Sequence, residues 1–359
     1  MKRPRVTVAI PVFNGAPYIK RAISSVLNQS MDDFEILVID DGSTDSSCAE
    51  VESMEDDRIR LLKNGQNRGL AWTRNRLVRE AKGEFLAWLD QDDACLKNRL
   101  IRQVEVFDYS PNTVLCGGAS RVYEDREGEM VEAHTVTPSV SGQLLAASQL
   151  FWNVLTTSTV MMRMDLVLDS NAIFDPSIEP AEDFGFWFEC AGLGVVEIVD
   201  EVLTELYYLS TGASASAPEG KQERGAREVR NRALALLFPG LAPLKASTQR
   251  LLIEGVKSDW DPLEVHDAVV WLEKLAKLSP IDQRCSRADV TLIAGAVLLR
   301  LTRSLYRVSP IFATKTLIKS DLRLPAAHWA MRRLAAKMGE KAAGATTVER
   351  VQGIKASRT

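Results

Sequence analysis

The chain has 359 residues, and at about 150 residues per domain this length predicts roughly two domains with a substantial core. Hydrophobic residues make up 46% of the sequence and charged residues 26%, with 44 basic against 48 acidic side chains and a net charge of −4. These proportions are those of a globular protein and exclude fibrous, collagenous and wholly disordered chains.

The charge is distributed unevenly along the chain. Residues 297–359 hold thirteen basic and three acidic residues, a net +10, which leaves −14 for residues 1–296. An acidic body argues against a nucleic-acid partner, whereas a basic C-terminal region favours contact with an anionic surface.

Cysteine usage and hydropathy bear on the compartment. The five cysteines are widely spaced and include no Cys-x-x-Cys pair, so neither a zinc ribbon nor a disulfide framework is predicted, and a reducing, cytoplasmic location is expected. The longest uncharged apolar run, residues 290–299, is about half as long as a bilayer crossing requires. No membrane span is therefore predicted.

The first part of the chain alternates β-rich runs with helical periods, the βαβ order that favours parallel strands. After a small-residue stretch at residues 210–220 the pattern becomes helical almost to the end, which predicts a domain boundary near residues 215–225. In chain order, strands are predicted at residues 6–12, 34–39, 59–62, 84–89, 113–116, 159–162, 195–199 and 202–209, and helices at residues 19–27, 70–81 and 96–107.

Aspartates follow neighbouring strands of this predicted sheet, where α/β proteins bind their ligands. Such a cluster repels itself unless a cation neutralises it, and all-oxygen ligands favour Mg²⁺ or Mn²⁺ over zinc. Taken singly, each motif is also ordinary turn and cap chemistry. The residues are Asp40, Asp41, Asp90, Asp92 and Asp93.

Two common nucleotide-binding folds are not supported by the sequence. No Gly-x-Gly-x-x-Gly follows the first strand, and no Gly-Lys-Ser/Thr loop occurs. A dinucleotide enzyme and a P-loop ATPase are therefore excluded.

Five segments carry a resemblance to a known family: residues 8–14, 39–45, 67–75, 89–93 and 174–187. From residue 6 to about residue 215 the chain resembles the inverting, family 2 glycosyltransferases with a GT-A fold. The resemblance implies an α/β fold, in which the Rossmann-like mixed sheet of a nucleotide-diphospho-sugar transferase is flanked by helices and followed by a mostly α-helical C-terminal region. It implies a GT-A domain over residues 1–215 and a helical region over residues 216–343, with a flexible tail over residues 344–359.

The resemblance also implies a binding site for a nucleotide sugar, with a UDP-sugar as the expected donor. Asp41 is similar to the residue that accepts a hydrogen bond from the base, in a pocket walled by Pro11 and Phe13, with Asn14 beside them.

Asp90 and Asp92 resemble the family's Asp-x-Asp pair, with Asp90 near the ribose and Asp92 on the Mn²⁺ or Mg²⁺ that bridges the diphosphate. Arg74 is similar to a basic residue near the nucleotide, or else is a solvated helix charge.

Catalysis of this kind needs a stabilised leaving group and a base that deprotonates the acceptor hydroxyl. Asp183 matches the aspartate of the family's Glu-Asp motif, which makes it the candidate base. Its alternative role is to cap the following helix. A single displacement by a saccharide or lipid-linked saccharide acceptor would invert the anomeric configuration.

The sequence departs from the family pattern at one segment. Where many members have Tyr-Arg-x-His, this chain has Tyr208 in place of the arginine and Ser210 in place of the histidine. The Gln-x-x-Arg-Trp signature of processive synthases is absent, which favours transfer of one sugar at a time.

A basic amphipathic helix is predicted from Pro325 to about residue 341. It favours peripheral contact with the inner face of the cytoplasmic membrane, although a helix packed on the protein with solvated charges fits the same pattern.

Two other functions compete with sugar transfer. A sugar nucleotidylyltransferase would need a glycine-rich basic loop after the first strand, and a catalytically degenerate scaffold is supported only by Tyr208 and Ser210.

Overall fold

The computed structural model describes residues 3–126, 128–138, 140, 142–208, 220–256, 260–323 and 325–327. The chain forms two compact units, one of Met1–Pro239 with Asp282–Arg284 and the other of Gly240–Ile281 with Cys285–Thr359. Ser210, the predicted tail and most of the predicted basic helix lie outside the described residues.

A mixed β-sheet forms the centre of the first unit. Within the described residues it has nine strands in the order β3-β2-β1-β4-β8-β6-β9-β5, with β7 paired to β6. Pairs β1–β2, β1–β4, β2–β3 and β6–β9 are parallel, and the remaining pairs are antiparallel. The strands are β1 Val6–Val12, β2 Phe34–Asp40, β3 Ile59–Lys63, β4 Phe85–Trp88, β5 Ala94–Cys95, β6 Thr113–Arg126, β7 Glu129–Val136, β8 Met161–Arg163 and β9 Val195–Tyr208.

Helices flank this sheet and close its core. All seven residues of β1 are buried, and α1 packs its apolar side chains, among them Ile19 and Ile23, into the same core. The periodicity of α1 explains this, because apolar residues three and four apart share one helix face. The helices are α1 Ile19–Leu27, α2 Ser47–Glu52, α3 Leu70–Glu80, α4 Arg99–Tyr109, α5 Gln143–Ser148, α6 Met164–Leu168, α7 Glu182–Cys190 and α8 Lys221–Leu237.

The described part of the second unit consists of helices joined by loops and turns. Its longest helix begins with a capping box, in which Ser286 and Asp289 each bond the other's backbone N–H. None of the described helices is long and apolar enough to cross a bilayer. The helices are α9 Ala246–Glu254, α10 Pro262–Lys277, α11 Arg287–Val308 and α12 Pro310–Lys319.

The structure differs from the sequence prediction at the domain boundary and in the last strand of the sheet, among other places. The units divide after Pro239 rather than near residues 215–225, because α8 packs Val229 against Ile178 and Phe184 of the first unit. The strands predicted at residues 195–199 and 202–209 form the single strand β9, which pairs in parallel with β6 along almost its whole length.

Candidate active site

The loops after β1 and β2 are held together by side-chain to backbone hydrogen bonds. Asn14, in the left-handed region at φ 49°, accepts from the Thr44 N–H at 2.9 Å through Oδ1, and its own N–H donates to Ser43 Oγ at 2.9 Å. The Gly15 N–H donates to Ser47 Oγ at 2.8 Å. The Asn14 amide oxygen therefore joins the loop after β1 to the loop after β2. Asparagine adopts a positive φ more readily than most residues do.

Asp41 lies directly after β2 and is 4% exposed. Its carboxylate accepts hydrogen bonds from Asn64 Nδ2 at 2.6 Å, Arg68 N at 3.0 Å and Gly69 N at 2.9 Å. A carboxylate offers about four acceptor positions. Asp41 thus fixes the loop that leads into α3 and keeps about one position for a ligand donor.

The two residues predicted to form the wall of the base pocket differ in their exposure. Phe13 is 42% exposed at the end of β1, whereas Pro11 is buried within the strand. The Gln91 side chain forms two hydrogen bonds with the Phe13 backbone: it accepts from the N–H at 3.0 Å and donates to the carbonyl at 3.3 Å. Gln91 joins the β1 end to the turn after β4, a role that the sequence reasoning missed.

Arg74 is 4% exposed and bridges two carboxylates. Its Nη1 donates to Glu182 Oε1 at 2.6 Å, and its Nη2 donates to Asp90 Oδ1 at 3.0 Å. Burial opposes the charge of Arg74, but Asp90 and Glu182 outweigh it and raise the pKa of the guanidinium. The solvated-helix alternative is therefore wrong, and Arg74 connects the turn after β4 to the start of α7.

The two aspartates that follow Gln91 have different environments. Burial and the neighbouring Asp90 raise the pKa of Asp92 to about 6, against a lowering by Arg21. Asp93 is buried, accepts from Ser158 Oγ and from Tyr207 N, and has a pKa raised well above its usual range, mainly by burial. Asp93 therefore anchors the turn.

The donor set fits a divalent cation that is shared with substrate. Among the described residues, no group of three or more His, Cys, Asp and Glu side chains could hold a metal by itself. Mg²⁺, however, is commonly bound by one or two carboxylates together with phosphate oxygens and water. Asp92 suits such a site, because the hydrogen bonds described here give its carboxylate no donor from another residue, and the electrostatic repulsion from Asp90 favours a cation.

Asp183 is the second residue of α7. Its Oδ2 accepts from Thr157 Oγ1 at 3.0 Å and from Asn153 Nδ2 at 3.3 Å, while Oδ1 accepts from the Phe184 N–H at 2.6 Å. The N-cap position is held by Ala181, so Asp183 contributes to the first turn without being the N-cap. Burial is the largest influence on Asp183 and raises its pKa.

Glu182 and Glu179 are residues of the site region that the sequence reasoning did not assign. Glu182 is 2% exposed, and burial raises its pKa to about 7 although Arg74 lowers it. Glu179 accepts from the Ala71 N–H at 2.8 Å and so caps α3, which begins after Gly69 and lacks a local side-chain cap. The only sequence signal for Glu182 was its place in the Glu-Asp motif.

The segment that departs from the family pattern adds an aromatic contact. The Arg21 guanidinium lies 3.6 Å from the centroid of the Tyr207 ring and donates to the Asp92 carbonyl. Tyr207 in turn stacks on Tyr123 with centroids 5.0 Å apart. Tyr208, which replaces the family's arginine, is exposed at the end of β9.

Comparison with known proteins identifies relatives of this chain. The family model described as Glycosyl transferase family 2 matches residues 7–167. The Escherichia coli UDP-Glc:alpha-D-GlcNAc-diphosphoundecaprenol beta-1,3-glucosyltransferase WfgD is 30% identical over 185 residues, which are 51% of this chain and 68% of WfgD. An uncharacterized glycosyltransferase of Haemophilus influenzae is 26% identical over 234 residues, 63% of this chain and 72% of that protein.

Solved structures share the fold. S. aureus TarS in complex with UDP-GlcNAc aligns with a TM-score of 0.56 at 18% identity, covering 86% of this chain and 90% of that chain. The mannosyltransferase PcManGT from Pyrobaculum calidifontis, in complex with GDP-Man and Mn²⁺, aligns with a TM-score of 0.52 at 18% identity, covering 93% and 88%. The fold is that of a GT-A glycosyltransferase. The chain belongs to glycosyltransferase family 2.

Proposed function

We propose that this enzyme transfers one sugar from a nucleotide sugar, with a UDP-sugar as the expected donor, to a hydroxyl of a saccharide or lipid-linked saccharide. The transfer would be metal-dependent and would invert the anomeric configuration. The observation that carries this proposal is the bridge from Asp90 through Arg74 to Glu182, because it joins the donor-side turn to the helix that bears Asp183.

The choice of donor and acceptor class draws on WfgD. Its printed activity uses UDP-Glc and a diphosphoundecaprenol-linked acceptor. A lipid-linked acceptor would bring this enzyme to the inner face of the cytoplasmic membrane and would place it in cell-envelope polysaccharide or glycolipid assembly.

The residues at the donor side have separable tasks. Phe13 would contact the base, and Asp41 would accept a base N–H through its remaining acceptor position. Asp92, with Asp90 beside it, would hold Mn²⁺ or Mg²⁺. When bound, that cation stabilises the negative charge of the departing nucleoside diphosphate.

On the acceptor side, Asp183 would take the proton of the attacking hydroxyl as the bond to the anomeric carbon forms. Thr157 and Asn153 both donate to Oδ2, which orients the carboxylate. Burial raises the pKa of Asp183 and so makes the carboxylate a stronger base than an exposed aspartate. Attack from the face opposite the leaving group accounts for inversion.

Replacement of Asp183 tests the assignment. Asp183→Asn is expected to lower turnover about 10²–10⁴-fold, the usual contribution of a positioned base, while nucleotide binding is retained. Asp165→Asn, at an exposed aspartate in the first turn of α6, is the matched control and is expected to change neither. Full turnover by Asp183→Asn would refute the base assignment.

Donor binding is measured separately, by thermal shift with UDP, GDP, CDP and dTDP, each with and without Mn²⁺. We expect one nucleotide to stabilise the protein in a metal-dependent manner. If none does, the catalytically degenerate scaffold becomes the better description.

A further inference from the structure

The end of α11 and the following helix α12 expose large apolar side chains. Ile311 is 71% exposed, Tyr306 and Ile318 are each 59% exposed, and Val308 is 41% exposed. Ala313, on the opposite side of α12, is buried, and Phe312 packs against Trp260 with ring centroids 4.9 Å apart. The helix is thus anchored on one side and exposes apolar residues on the other. We call the exposed residues 303–319 of these two helices the α11–α12 face.

Helical geometry places the exposed isoleucines together. Ile311 and Ile318 are seven residues apart, so they differ by about 20° around the helix axis. Lys315 and Lys319 are exposed beside them, at four-residue spacing. The long apolar stems of these lysines allow their ammonium groups to stay in a polar environment while the isoleucines are buried in an apolar one.

The charge of this region is strongly positive. Residues 300–323 hold six basic residues and one acidic residue, Asp321, which pairs with Lys277 at 2.9 Å. The α11–α12 face itself has four exposed basic residues, Arg303, Arg307, Lys315 and Lys319. Within the described part of the chain, none of the four forms a salt bridge.

We propose that the α11–α12 face binds the surface of an anionic lipid bilayer. An apolar stripe flanked by lysines, with an exposed tyrosine at its edge, matches the boundary between acyl chains and anionic headgroups. The proposed function enters only in the role we give to this binding, which is to bring the enzyme to a lipid-linked acceptor.

The same charges disfavour the other occupants of the face. A second copy would oppose two basic surfaces. The segment 328–359 carries seven basic and two acidic residues, so it does not neutralise the face. A nucleic acid would satisfy the lysines but would leave Ile311 and Ile318 without apolar contact.

The test is co-sedimentation of the full chain with vesicles of phosphatidylglycerol and phosphatidylcholine, compared with phosphatidylcholine alone. We expect binding only to the anionic vesicles, and weaker binding at high salt. Lys315→Gln/Lys319→Gln should bind about 30-fold more weakly, since each basic residue near an anionic surface contributes about 1 kcal/mol. Ile311→Ser/Ile318→Ser should bind roughly tenfold more weakly at either salt concentration.

Two variants in the same unit serve as controls. Ile281 is 71% exposed, as Ile311 is, and Lys274 is an exposed lysine of α10. Ile281→Ser and Lys274→Gln should bind vesicles as the unchanged protein does.

Three results would overturn the proposal: equal binding to neutral vesicles, no vesicle binding, or unchanged binding by both pairs of face variants. A change of oligomeric state in the face variants, measured by light scattering, would instead identify a contact between copies. Binding of a DNA duplex that competes with the vesicles would identify a nucleic-acid surface.

Nucleotide thermal shifts on the same samples separate this proposal from the proposed function. Face variants that lose vesicle binding but keep the nucleotide shift support the membrane surface. Vesicle binding without any nucleotide shift would refute the proposed function and leave the surface intact.

Discussion

Removal of the Arg74 charge should leave Glu182 as an unpaired buried carboxylate. The two side chains are 4% and 2% exposed, and their charged atoms are 2.6 Å apart. At an effective dielectric constant of about 20, unit charges at that distance attract by about 6 kcal/mol, and desolvation of both ions offsets much of this. Loss of one partner of such a pair costs about 3–5 kcal/mol of unfolding free energy.

We therefore expect Arg74→Met to lower the unfolding free energy of the first unit by about 3–5 kcal/mol at about pH 9, where Glu182 of the unchanged protein is ionised, measured by urea denaturation with circular dichroism. Arg79→Met, at an exposed position of the same helix, is the control and should change it by less than about 0.5 kcal/mol. The double variant Arg74→Met/Glu182→Leu lacks the unpaired Glu182 carboxylate, so its unfolding free energy should recover to within about 2 kcal/mol of that of the unchanged protein.

The pH dependence has a definite sign. Burial already raises the pKa of Glu182 to about 7, above its unfolded value, and loss of Arg74 should raise it further. A carboxyl of this kind contributes its stability in full below its unfolded pKa and loses it as pH rises through the folded pKa. The deficit of Arg74→Met should therefore be smallest near pH 5 and grow towards pH 9.

The double variant also separates folding from function. Nucleotide affinity should stay low in it even though stability returns, because Asp90 has lost the guanidinium that holds it. A cost of less than about 1 kcal/mol for Arg74→Met at about pH 9, or a double variant no more stable than Arg74→Met, would contradict the stabilising role of the buried ion pair.

Four further substitutions have predictable effects. Asp92→Asn should abolish the Mn²⁺-dependent part of the nucleotide thermal shift without changing the shift seen in the absence of metal, and an unchanged metal-dependent shift would exclude Asp92 as a ligand. Gly42→Ala should cost at least about 2 kcal/mol in denaturant titrations, because φ is +78° and the new Cβ would lie 2.5 Å from backbone atoms of the loop that Asp41 holds. Gly65→Ala, at φ +75° in open space, should cost only about 1 kcal/mol, and equal costs would contradict the steric argument. Hydrogen bonds from Arg58 lower the pKa of Asp56 to about 2, so this carboxylate stabilises the fold above its unfolded pKa and loses that contribution as pH falls towards 2. Asp56→Asn should cost about 1 kcal/mol at pH 7, after allowance for solvent screening, and nothing near pH 2.

The sequence was sufficient to place the aspartates at the strand ends. Parallel neighbours such as β1, β2 and β4 end on the same side of a sheet, so local patterns determine the position of Asp41, Asp90 and Asp92. The boundaries of β1 and the core face of α1 follow from periodicity for the same local reason.

The contacts that distinguish similar residues could not be predicted in this way. Asp93 is buried because Ser158 and Tyr207, 65 and 114 residues away, both donate to it. The Arg74–Glu182 pair is separated by 108 residues. Such pairings depend on how the chain returns to the sheet, which no local pattern encodes.

The hydrogen-bonded loops at the donor side have a consequence for binding thermodynamics. Asn14, Asp41 and Gln91 already hold the segments around the proposed nucleotide site through backbone contacts. A ligand that enters these loops has little chain entropy to remove, so more of its contact energy is available as affinity. Discrimination among donors then depends on shape and hydrogen-bond matching to a rigid template, and the association rate should vary less between nucleotides than the dissociation rate.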